Sequence, residues 1–113
     1  MSYIATFTPE TLSRTDVDAL RGPLVLEFGR NDCGWCQRAQ PLIEAAFIQA
    51  GAQVPHVKIE DGRGRPLGRS YGIKLWPTLV FLHHGVEVAR LVRPQQAHIV
   101  IDALMQLEKL SNQ

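Results

Sequence analysis

Long hydrophobic runs and a strong net charge are both absent from this sequence. No stretch approaches the roughly 18 consecutive apolar residues from which a membrane-spanning helix is built. Lysine and arginine together number 12 against 11 for aspartate and glutamate, so the formal net charge is only +1. So small an imbalance indicates neither a basic nucleic-acid-binding surface nor an acidic tail. We therefore expect no nucleic-acid partner and no association with a membrane.

Targeting signals, internal repeats and linkers are also absent from the sequence. Residues 1–7 have no basic head, no long apolar core and no small-residue cleavage site, so no secretory signal is predicted. With 113 residues and 45% apolar composition, the chain is expected to form a single domain over residues 1–113 whose core needs no disulfide bonds. We expect a cytoplasmic monomer.

Cysteine is scarce: the chain has two, Cys33 and Cys36, separated by two residues. In a reducing compartment, so close a pair is more often reactive than structural. A zinc site is one alternative, but a tetrahedral site needs four ligands and there is no second cysteine pair. Of the four histidines, His83 and His84 are predicted to be solvated turn residues that point in opposite directions. The sequence therefore predicts no metal, and a redox-silent domain that carries the pair by chance is the second alternative.

The first third of the chain contains one strong strand signal. Tyr3–Phe7 is predicted as a short strand, after which Thr8 and Pro9 offer the N-cap and first-turn proline of a weak helix. Gly22-Pro23 is expected to end that helix. The continuous apolar run Leu24–Phe28 is typical of a strand that is covered on both faces. This run is therefore predicted to be the first strong strand of the sheet.

A helix is predicted directly after the cysteine pair. Gly51 ends its pattern, and Pro41 predicts a kink one to two turns after Cys36. Its apolar residues recur at three- and four-residue spacing: Ala39, Leu42, Ile43, Ala46, Phe47 and Ala50.

The second half of the chain supplies the rest of the sheet. Gln53–Glu60 is predicted as a second central strand, and a short helix after it ends at Tyr71-Gly72. Thr78–Leu82 and Val86–Val92 are predicted to form a hairpin. Pro94 opens a final helix with one apolar face: Ala97, Val100, Ile101 and Leu104. The order βαβαβαββα indicates an α/β protein with a central mixed sheet and helices on both faces.

The position of the cysteines points to thiol–disulfide exchange. Side chains at i and i+3 of a helix lie about 5–6 Å apart between β-carbons, and a first helical turn can adjust with little strain to the ~3.8 Å of a disulfide. Cys33 is predicted to lie at the positive end of the helix, where unpaired N–H groups stabilise the attacking thiolate. Gly34 keeps the turn tight. Cys36, one turn deeper, is placed to resolve a mixed disulfide on Cys33.

The buried strand, the cysteine pair and the downstream Trp76-Pro77-Thr78 together resemble the thioredoxin family, over roughly residues 24–107. The resemblance implies a thioredoxin fold with a cis Trp76–Pro77 peptide bond packed against the cysteines. It also implies that the backbone of Trp76 pairs with the substrate chain as an added strand. An ordinary proline at the start of a strand is the alternative interpretation of Pro77.

Glu27 and Lys58 stand where the family has an acid and a lysine. The family usually carries a buried aspartate behind its inner cysteine, where it exchanges a proton with the resolving thiol. Lys58, in the neighbouring strand, matches the lysine that pairs with this acid. Because burial disfavours the charged form of a carboxylate, we expect Glu27 to suit general acid–base catalysis. A carboxylate at a sheet edge, or one that reaches out to solvent, is the alternative.

Four positions depart from the usual pattern of the family. Asp32 replaces the tryptophan before the first cysteine, and Trp35 replaces the proline that is common inside the pair. Arg93 stands where glycine is usual, and Trp76 stands where an aliphatic residue is usual. Trp35, Trp76, Pro77 and Arg93 are therefore predicted to form a substrate-binding surface unlike that of the commonest members.

The negative charge of Asp32 stands next to Cys33, where it opposes a thiolate. Arg93, and less directly Arg30, are candidates to offset that charge, and screening keeps either effect to about 1 kcal/mol at most. The alternative is that Asp32 points into water and Arg93 is a solvated residue at a strand end.

The sequence predicts a thiol–disulfide oxidoreductase that reduces protein disulfides through a Cys33–Cys36 dithiol/disulfide cycle. The resemblance implies that electrons come from NADPH through a thioredoxin reductase and that no cofactor is bound to this chain. The expected partners are protein disulfide substrates and that reductase. A disulfide oxidase or isomerase is the alternative within the same chemistry, because direction depends on the reduction potential. A binding module that acts as an accessory subunit is the alternative outside it.

Overall fold

The computed structural model describes residues 3–51 and 53–112. Its elements are, in chain order, α1 (Arg14–Asp18), β1 (Pro23–Gly29), α2 (Gly34–Ala50), β2 (His56–Glu60), α3 (Pro66–Ser70), β3 (Thr78–His83), β4 (Val86–Val92) and α4 (Ala97–Ser111). None of these helices is both long enough and apolar enough to span a membrane.

Within these ranges, the strands form one mixed sheet in the order β2-β1-β3-β4. β1 pairs with β2 in parallel and with β3 antiparallel, and β3 pairs with β4 antiparallel. β1 is therefore an interior strand, and all its residues after Pro23 are buried. This confirms the mixed sheet that the sequence predicts around a continuous apolar strand.

Apolar clusters cover both faces of the sheet, as predicted. One cluster joins α2 and α4 to one face, and its members include Val25, Ile43, Leu79 and Leu104. The other joins α1 and α3 to the opposite face, and its members include Val17, Leu26, Phe28 and Leu67. Because successive side chains of a strand point to opposite faces, Glu27 shares the face of Val25 and is directed towards the layer of α2.

The predicted strand Tyr3–Phe7 is wrong. The segment forms no strand, and its one ladder contact is a parallel bridge just beyond it, between Thr8 and Ile59 of β2. The order of the elements described here is therefore αβαβαββα, without the leading strand of the predicted βαβαβαββα order.

Side chains of β2 satisfy the backbone of this segment in place of a neighbouring strand. The N–H of Ile4 donates to Nδ1 of His56 at 2.8 Å, and Nζ of Lys58 donates to the carbonyl of Ala5 at 2.8 Å. Because buried backbone groups need a partner of some kind, these bonds replace the ladder bonds that a strand would have made.

The first helix is shorter than the sequence predicts and begins at a different cap. The hydroxyl of Ser13 accepts a hydrogen bond from the N–H of Asp16, and the carboxylate of Asp16 accepts one from the N–H of Ser13. This reciprocal capping box starts α1. Thr8, the predicted N-cap, instead exchanges backbone hydrogen bonds with β2. The prediction of a helix opened by Thr8 and Pro9 is therefore wrong.

The later elements follow the prediction with shifted ends, but the prediction that β2 is a second central strand is wrong, because β2 lies at the edge of the described sheet and has β1 as its one partner strand there. β2 begins at His56, three residues after Gln53, and α4 begins at Ala97, three residues after Pro94. Gln96 is the N-cap of α4. The predicted hairpin is present, and its first strand extends to His83.

The predicted opposite orientation of His83 and His84 is wrong, because their ring centroids lie only 4.0 Å apart. His84 adopts a positive φ of 52°, which breaks the alternation of side chains that a strand imposes. Its ring is exposed, and Nδ1 accepts a hydrogen bond from the N–H of Gly22 at 2.9 Å.

Candidate active site

The cysteine pair lies where β1 leads into α2. Cys33 is the N-cap of α2, with extended backbone angles of φ −93° and ψ 122°. Its Sγ accepts a hydrogen bond from the backbone N–H of Cys36 at 3.2 Å. This donor and the positive end of a 17-residue helix both stabilise negative charge on the sulfur. The predicted placement of Cys33 at a helix N-terminus is confirmed.

The two thiols differ in exposure and in acidity. Cys33 is partly exposed, whereas Cys36 is only 2% exposed. Burial above all, helped by the hydrogen bond with Cys33 and by the negative charge of Glu27, raises the pKa of Cys36 to about 12. A backbone hydrogen bond at Arg30 acts in the opposite direction. Cys36 is therefore a thiol at neutral pH and must lose a proton before it can attack a disulfide.

Gly29, at the end of β1, leaves room for the sulfur of Cys36. A Cβ placed on Gly29 would lie 2.7 Å from Sγ of Cys36 and 2.7 Å from Cζ of Phe7. Any larger residue must therefore displace the thiol or the ring. Gly29 was not among the predicted site residues, although a glycine at the end of an apolar strand is a signal for close approach.

Glu27 is a buried acid in the interior strand β1, with 1% of its surface exposed. Its Oε1 lies 2.8 Å from Nε2 of His56, and its Oε2 lies 3.9 Å from Nζ of Lys58. Oε2 has no hydrogen-bond partner in the described part of the chain. The predicted burial and the pairing with Lys58 are confirmed, and the interpretation of Glu27 as an edge carboxylate is wrong.

His56 is the closest partner of Glu27, and the sequence analysis did not assign it a role. Its Nδ1 accepts the N–H of Ile4, so in the neutral ring the proton lies on Nε2, which donates to Glu27. The ring is packed against Tyr3 and Phe47, with centroid distances of 5.2 and 4.7 Å. These contacts fix the carboxylate of Glu27 through one oxygen and leave the other without a hydrogen bond.

A signal for His56 was present in the alternation of β2. His56 and Lys58 are two residues apart, so they share a face of the strand. The register of β1 on β2 pairs Val25 with His56 and Glu27 with Lys58. Once this register is known, His56 and Lys58 lie on the same face of the sheet as the buried Glu27, and the three together indicate a polar cluster.

Lys58 is as deeply buried as Glu27, with 1% of its surface exposed. Its main hydrogen bond goes to the carbonyl of Ala5, and Nζ also lies 4.2 Å from the ring centroid of Phe7. Burial lowers the pKa of Lys58, and the charges of Glu27 and Cys36 oppose that shift. The lysine thus sits between the N-terminal segment and the acid.

The turn before β3 is held by Arg93. The Trp76–Pro77 peptide bond is cis. The backbone N–H of Arg93 donates to the carbonyl of Pro77 at 2.9 Å, and Nε of Arg93 donates to the carbonyl of Trp76 at 2.8 Å. The indole Nε1 of Trp76 donates to Asp61 at 2.9 Å. Arg93 thereby fixes both residues of the turn.

Arg93 also joins this turn to Trp35. The guanidinium carbon of Arg93 lies 4.4 Å from the centroid of the Trp35 ring, and that of Arg38 lies 4.8 Å from it. The predicted substrate-binding residues Trp35, Trp76, Pro77 and Arg93 are therefore brought into one contiguous group. Arg38 is an additional member of the group that the sequence analysis did not identify.

Asp32 points into water and pairs with Arg30. Its side chain is 78% exposed, and its Oδ1 lies 3.2 Å from Nε of Arg30. Arg93, the other candidate to offset this charge, is engaged with Trp35 and Trp76. The alternative interpretation is therefore confirmed for Asp32, whereas Arg93, which directly follows β4, is held by protein contacts as well as partly exposed. Within residues 3–51 and 53–112, no cluster of three histidine, cysteine, aspartate or glutamate side chains is suited to holding a metal ion.

Comparison with known proteins shows similarity along almost the whole chain. The family model for thioredoxin matches residues 5–106. Thioredoxin 2 from Pseudomonas aeruginosa PAO1, solved in its reduced form, has a TM-score of 0.82 and 47% identity, covering 93% of this chain and 96% of that one. A thioredoxin-like protein of Synechocystis is 32% identical over 82 residues, which are 73% of this chain and 78% of that protein. A rice protein disulfide isomerase-like protein is 38% identical over 68 residues, but these are only 16% of that longer protein.

The matched residues include both cysteines, the buried Glu27, His56 and Lys58, and the group of Trp35, Trp76, Pro77 and Arg93. Two of these relatives, a thioredoxin and a thioredoxin-like protein, are similar over most of their own length. This chain is therefore a thiol–disulfide oxidoreductase that belongs to the thioredoxin family.

Proposed function

We propose that the chain reduces disulfide bonds of protein substrates through a Cys33–Cys36 dithiol/disulfide cycle. The observation that carries this proposal is the difference between the two thiols. Cys33 is accessible at a helix N-terminus, whereas Cys36 is buried beside a carboxylate and has a pKa raised to about 12. The accessible Cys33 can attack the substrate disulfide in the first step, and the buried Cys36 can resolve the mixed disulfide in the second.

In the first step, the thiolate of Cys33 attacks one sulfur of the substrate disulfide. A disulfide between Cys33 and the substrate forms, and the substrate S–S bond breaks. Its electron pair leaves with the other substrate sulfur, which takes up a proton. The N–H of Cys36 already points at Sγ of Cys33 and stabilises the thiolate before the attack.

In the second step, Cys36 loses its proton and attacks Sγ of Cys33. The mixed disulfide breaks, the substrate leaves as its second thiol, and the Cys33–Cys36 disulfide forms. Two electrons have then passed to the substrate. Glu27 is the base in this proposal, because its Oε2 has no hydrogen-bond partner among the described residues and its charge acts on Cys36. Lys58 partly balances the charge of Glu27 from 3.9 Å.

Substrate docking is assigned to Trp35, Trp76, Pro77 and Arg93. Two hydrogen bonds from Arg93 hold the turn at Trp76 and Pro77 in place. An extended substrate segment can pair with the backbone there as an added strand, so that its disulfide meets Cys33.

The oxidised pair must be reduced again by an external donor. Members of the thioredoxin family act on protein disulfides and bind no cofactor themselves. For this chain, the donor we propose is an NADPH-dependent thioredoxin reductase. A dithiol without any further cysteine in the sequence suits a reducing compartment, which supports the cytoplasm as the proposed location, and a monomer is the proposed working form.

The Glu27→Gln substitution is expected to slow formation of the Cys33–Cys36 disulfide by about 10²-fold near neutral pH, a typical effect of losing a general base. Glutamine is similar in size, and its amide oxygen still accepts a hydrogen bond from His56. The substitution also removes a negative charge that raises the pKa of Cys36, which by itself would favour the attack. Slower resolution therefore reports the loss of proton transfer. The measurement is the single-turnover rate of disulfide formation from about pH 6 to 9.

Glu44→Gln is the matched control for this experiment. Glu44 is a half-buried carboxylate of α2 whose charge reaches Lys58 and Tyr3. Its loss is expected to change the rate by about twofold at most, because its electrostatic effect is screened. The defect of Glu27→Gln should shrink as pH rises, since Cys36 then ionises without help. Equal rates for Glu27→Gln and the wild type at every pH would exclude Glu27 as the base.

A further inference from the structure

A charged cleft lies beside the cysteine pair. Two guanidinium groups, of Arg38 and Arg93, lie over the ring of Trp35 at 4.8 and 4.4 Å from its centroid. Trp35 itself is 40% exposed. An open cavity of about 210 Å³ is lined by these three residues together with Leu42 and Pro94. The cleft therefore combines an aromatic wall with two positive charges.

No carboxylate of the described residues neutralises these two charges. In the part of the chain that the structure describes, neither Arg38 nor Arg93 forms an ion pair with a carboxylate. Asp32, the acid next to Cys33, is already paired with Arg30. Among residues 3–51 and 53–112, ion pairs are formed by Arg14, Arg30, Arg65 and Arg90. The cleft therefore has a positive potential that favours an anionic group.

Arg93 connects the cleft to the turn at which the substrate backbone is proposed to dock. Its Nε donates a hydrogen bond to the carbonyl of Trp76, whereas its Nη groups donate none to an acceptor in residues 3–51 and 53–112. Arg38 donates no hydrogen bond in those ranges either. Guanidinium groups with unused N–H donors bind carboxylates through short, charge-assisted hydrogen bonds.

We propose that the cleft of Trp35, Arg38 and Arg93 binds an aspartate or glutamate of the substrate, close to its reacting cysteine. This specificity rests on the protein-disulfide reduction proposed above. Trp35 lies between the two cysteines in sequence, and Arg93 bonds the carbonyl of Trp76. A substrate segment that docks at Trp76 and reacts at Cys33 therefore passes the two guanidinium groups. Its acidic side chain accepts their hydrogen bonds, and its methylene groups pack on the indole.

The test uses three cysteine peptides that differ only in the residues flanking the cysteine, which are glutamate, glutamine or lysine. Each peptide is prepared as a mixed disulfide with 2-thiopyridine, a neutral leaving group whose release is followed by absorbance. The measured quantity is the second-order rate constant for attack by the reduced protein. Because the ion pairs are partly exposed, we expect the glutamate peptide to react roughly three- to tenfold faster than the glutamine peptide. The lysine peptide should be slowest, and added salt should reduce the differences.

The Arg38→Gln substitution is expected to lower the glutamate-to-glutamine rate ratio by at least about half, because one of two ion pairs is lost. Arg21→Gln is the matched control. Arg21 is exposed and lies two residues before the start of β1 at Pro23, so it is near the opposite end of that strand from Cys33, roughly 20 Å away. The control changes the net charge by the same amount and should keep the ratio of the wild type.

The outcomes separate the two proposals. Equal rate constants for the three peptides would overturn the acidic specificity while protein-disulfide reduction stands. An equal fall of the ratio in Arg21→Gln and Arg38→Gln would also overturn it, because net charge rather than the cleft would then set the preference. No reaction with any peptide would overturn the proposed function itself, and the specificity with it.

Discussion

Replacing Cys36 with serine is expected to stop the reaction at the mixed disulfide, with the substrate covalently bound to Cys33. Cys33 keeps its partly exposed sulfur and its place at the N-terminus of α2, so the first attack still occurs. A serine hydroxyl cannot release the substrate by forming a new disulfide, so the adduct accumulates and turnover falls to background. Mass spectrometry of the protein after incubation with a disulfide-bonded substrate measures the adduct, which dithiothreitol should release.

Cys33→Ser is the matched control, and it should show neither turnover nor adduct. The remaining thiol, Cys36, is 2% exposed, and its pKa is raised to about 12, so it is neither accessible nor ionised at neutral pH. Normal turnover of Cys36→Ser without an adduct would contradict the assigned roles. Rapid adduct formation by Cys33→Ser would contradict them as well.

The second large effect is expected in stability, from the His56→Phe substitution. Phenylalanine keeps an aromatic ring beside Tyr3 and Phe47, but it lacks both ring nitrogens. Oε1 of Glu27 then loses its donor at 2.8 Å, and the N–H of Ile4 loses its acceptor. Because losing a buried hydrogen bond to a charged group costs about 1.5–3 kcal/mol and stranding a buried N–H costs about 1–3 kcal/mol, we expect the free energy of unfolding in urea to fall by roughly 3–5 kcal/mol.

Two further variants identify the cause of that loss. His98→Phe changes an exposed histidine of α4 and should alter the free energy of unfolding by less than about 0.5 kcal/mol. Adding Glu27→Leu to His56→Phe removes the stranded carboxylate and should recover part of the stability. If His56→Phe unfolds at the same urea concentration as the wild type, the buried pair does not contribute to stability as described.

The sequence predicted best those elements whose signal is continuous and local. The apolar run at the centre of β1, the hairpin of β3 and β4, and the apolar stripes of α2 and α4 each extend over several residues. Such apolar faces must be buried against another layer of secondary structure, and only a few layer architectures achieve this. Their ends shifted by a few residues because caps, rather than periodicity, determine them.

The N-terminal segment shows where local pattern is insufficient. Tyr3 and Phe7 are buried, as they would be in a strand, yet the segment between them bonds to side chains of His56 and Lys58. These partners are more than 50 residues away in the sequence, with separations of 52 and 53. No property of residues 3–7 alone distinguishes this arrangement from a ladder with another strand.

The candidate site was predicted in its chemical groups but not in its connections. Motif and resemblance identified the cysteines, Glu27 and Lys58. The role of His56 follows only from the register that pairs β1 with β2. Likewise, the contact of Arg93 with Trp35 depends on where the chain turns after β4, so the sequence predicted the members of the surface without the contacts between them or the second arginine, Arg38. These contacts could not be predicted because they depend on how the elements are arranged in space, which the residue types alone do not specify.

The reduction potential of the Cys33–Cys36 pair, measured at equilibrium against glutathione, tests the central claim most directly. The protein is equilibrated with glutathione buffers of varied ratio, its free thiols are alkylated, and the Cys33–Cys36 disulfide is quantified by peptide mapping. We expect the two cysteines to be oxidised together in one two-electron transition, at a potential more negative than about −240 mV, so that transfer of electrons to protein disulfides is favourable. A potential near about −120 mV, which is typical of a disulfide oxidase, or failure of Cys33 and Cys36 to form a disulfide with each other, would contradict the proposed reductase.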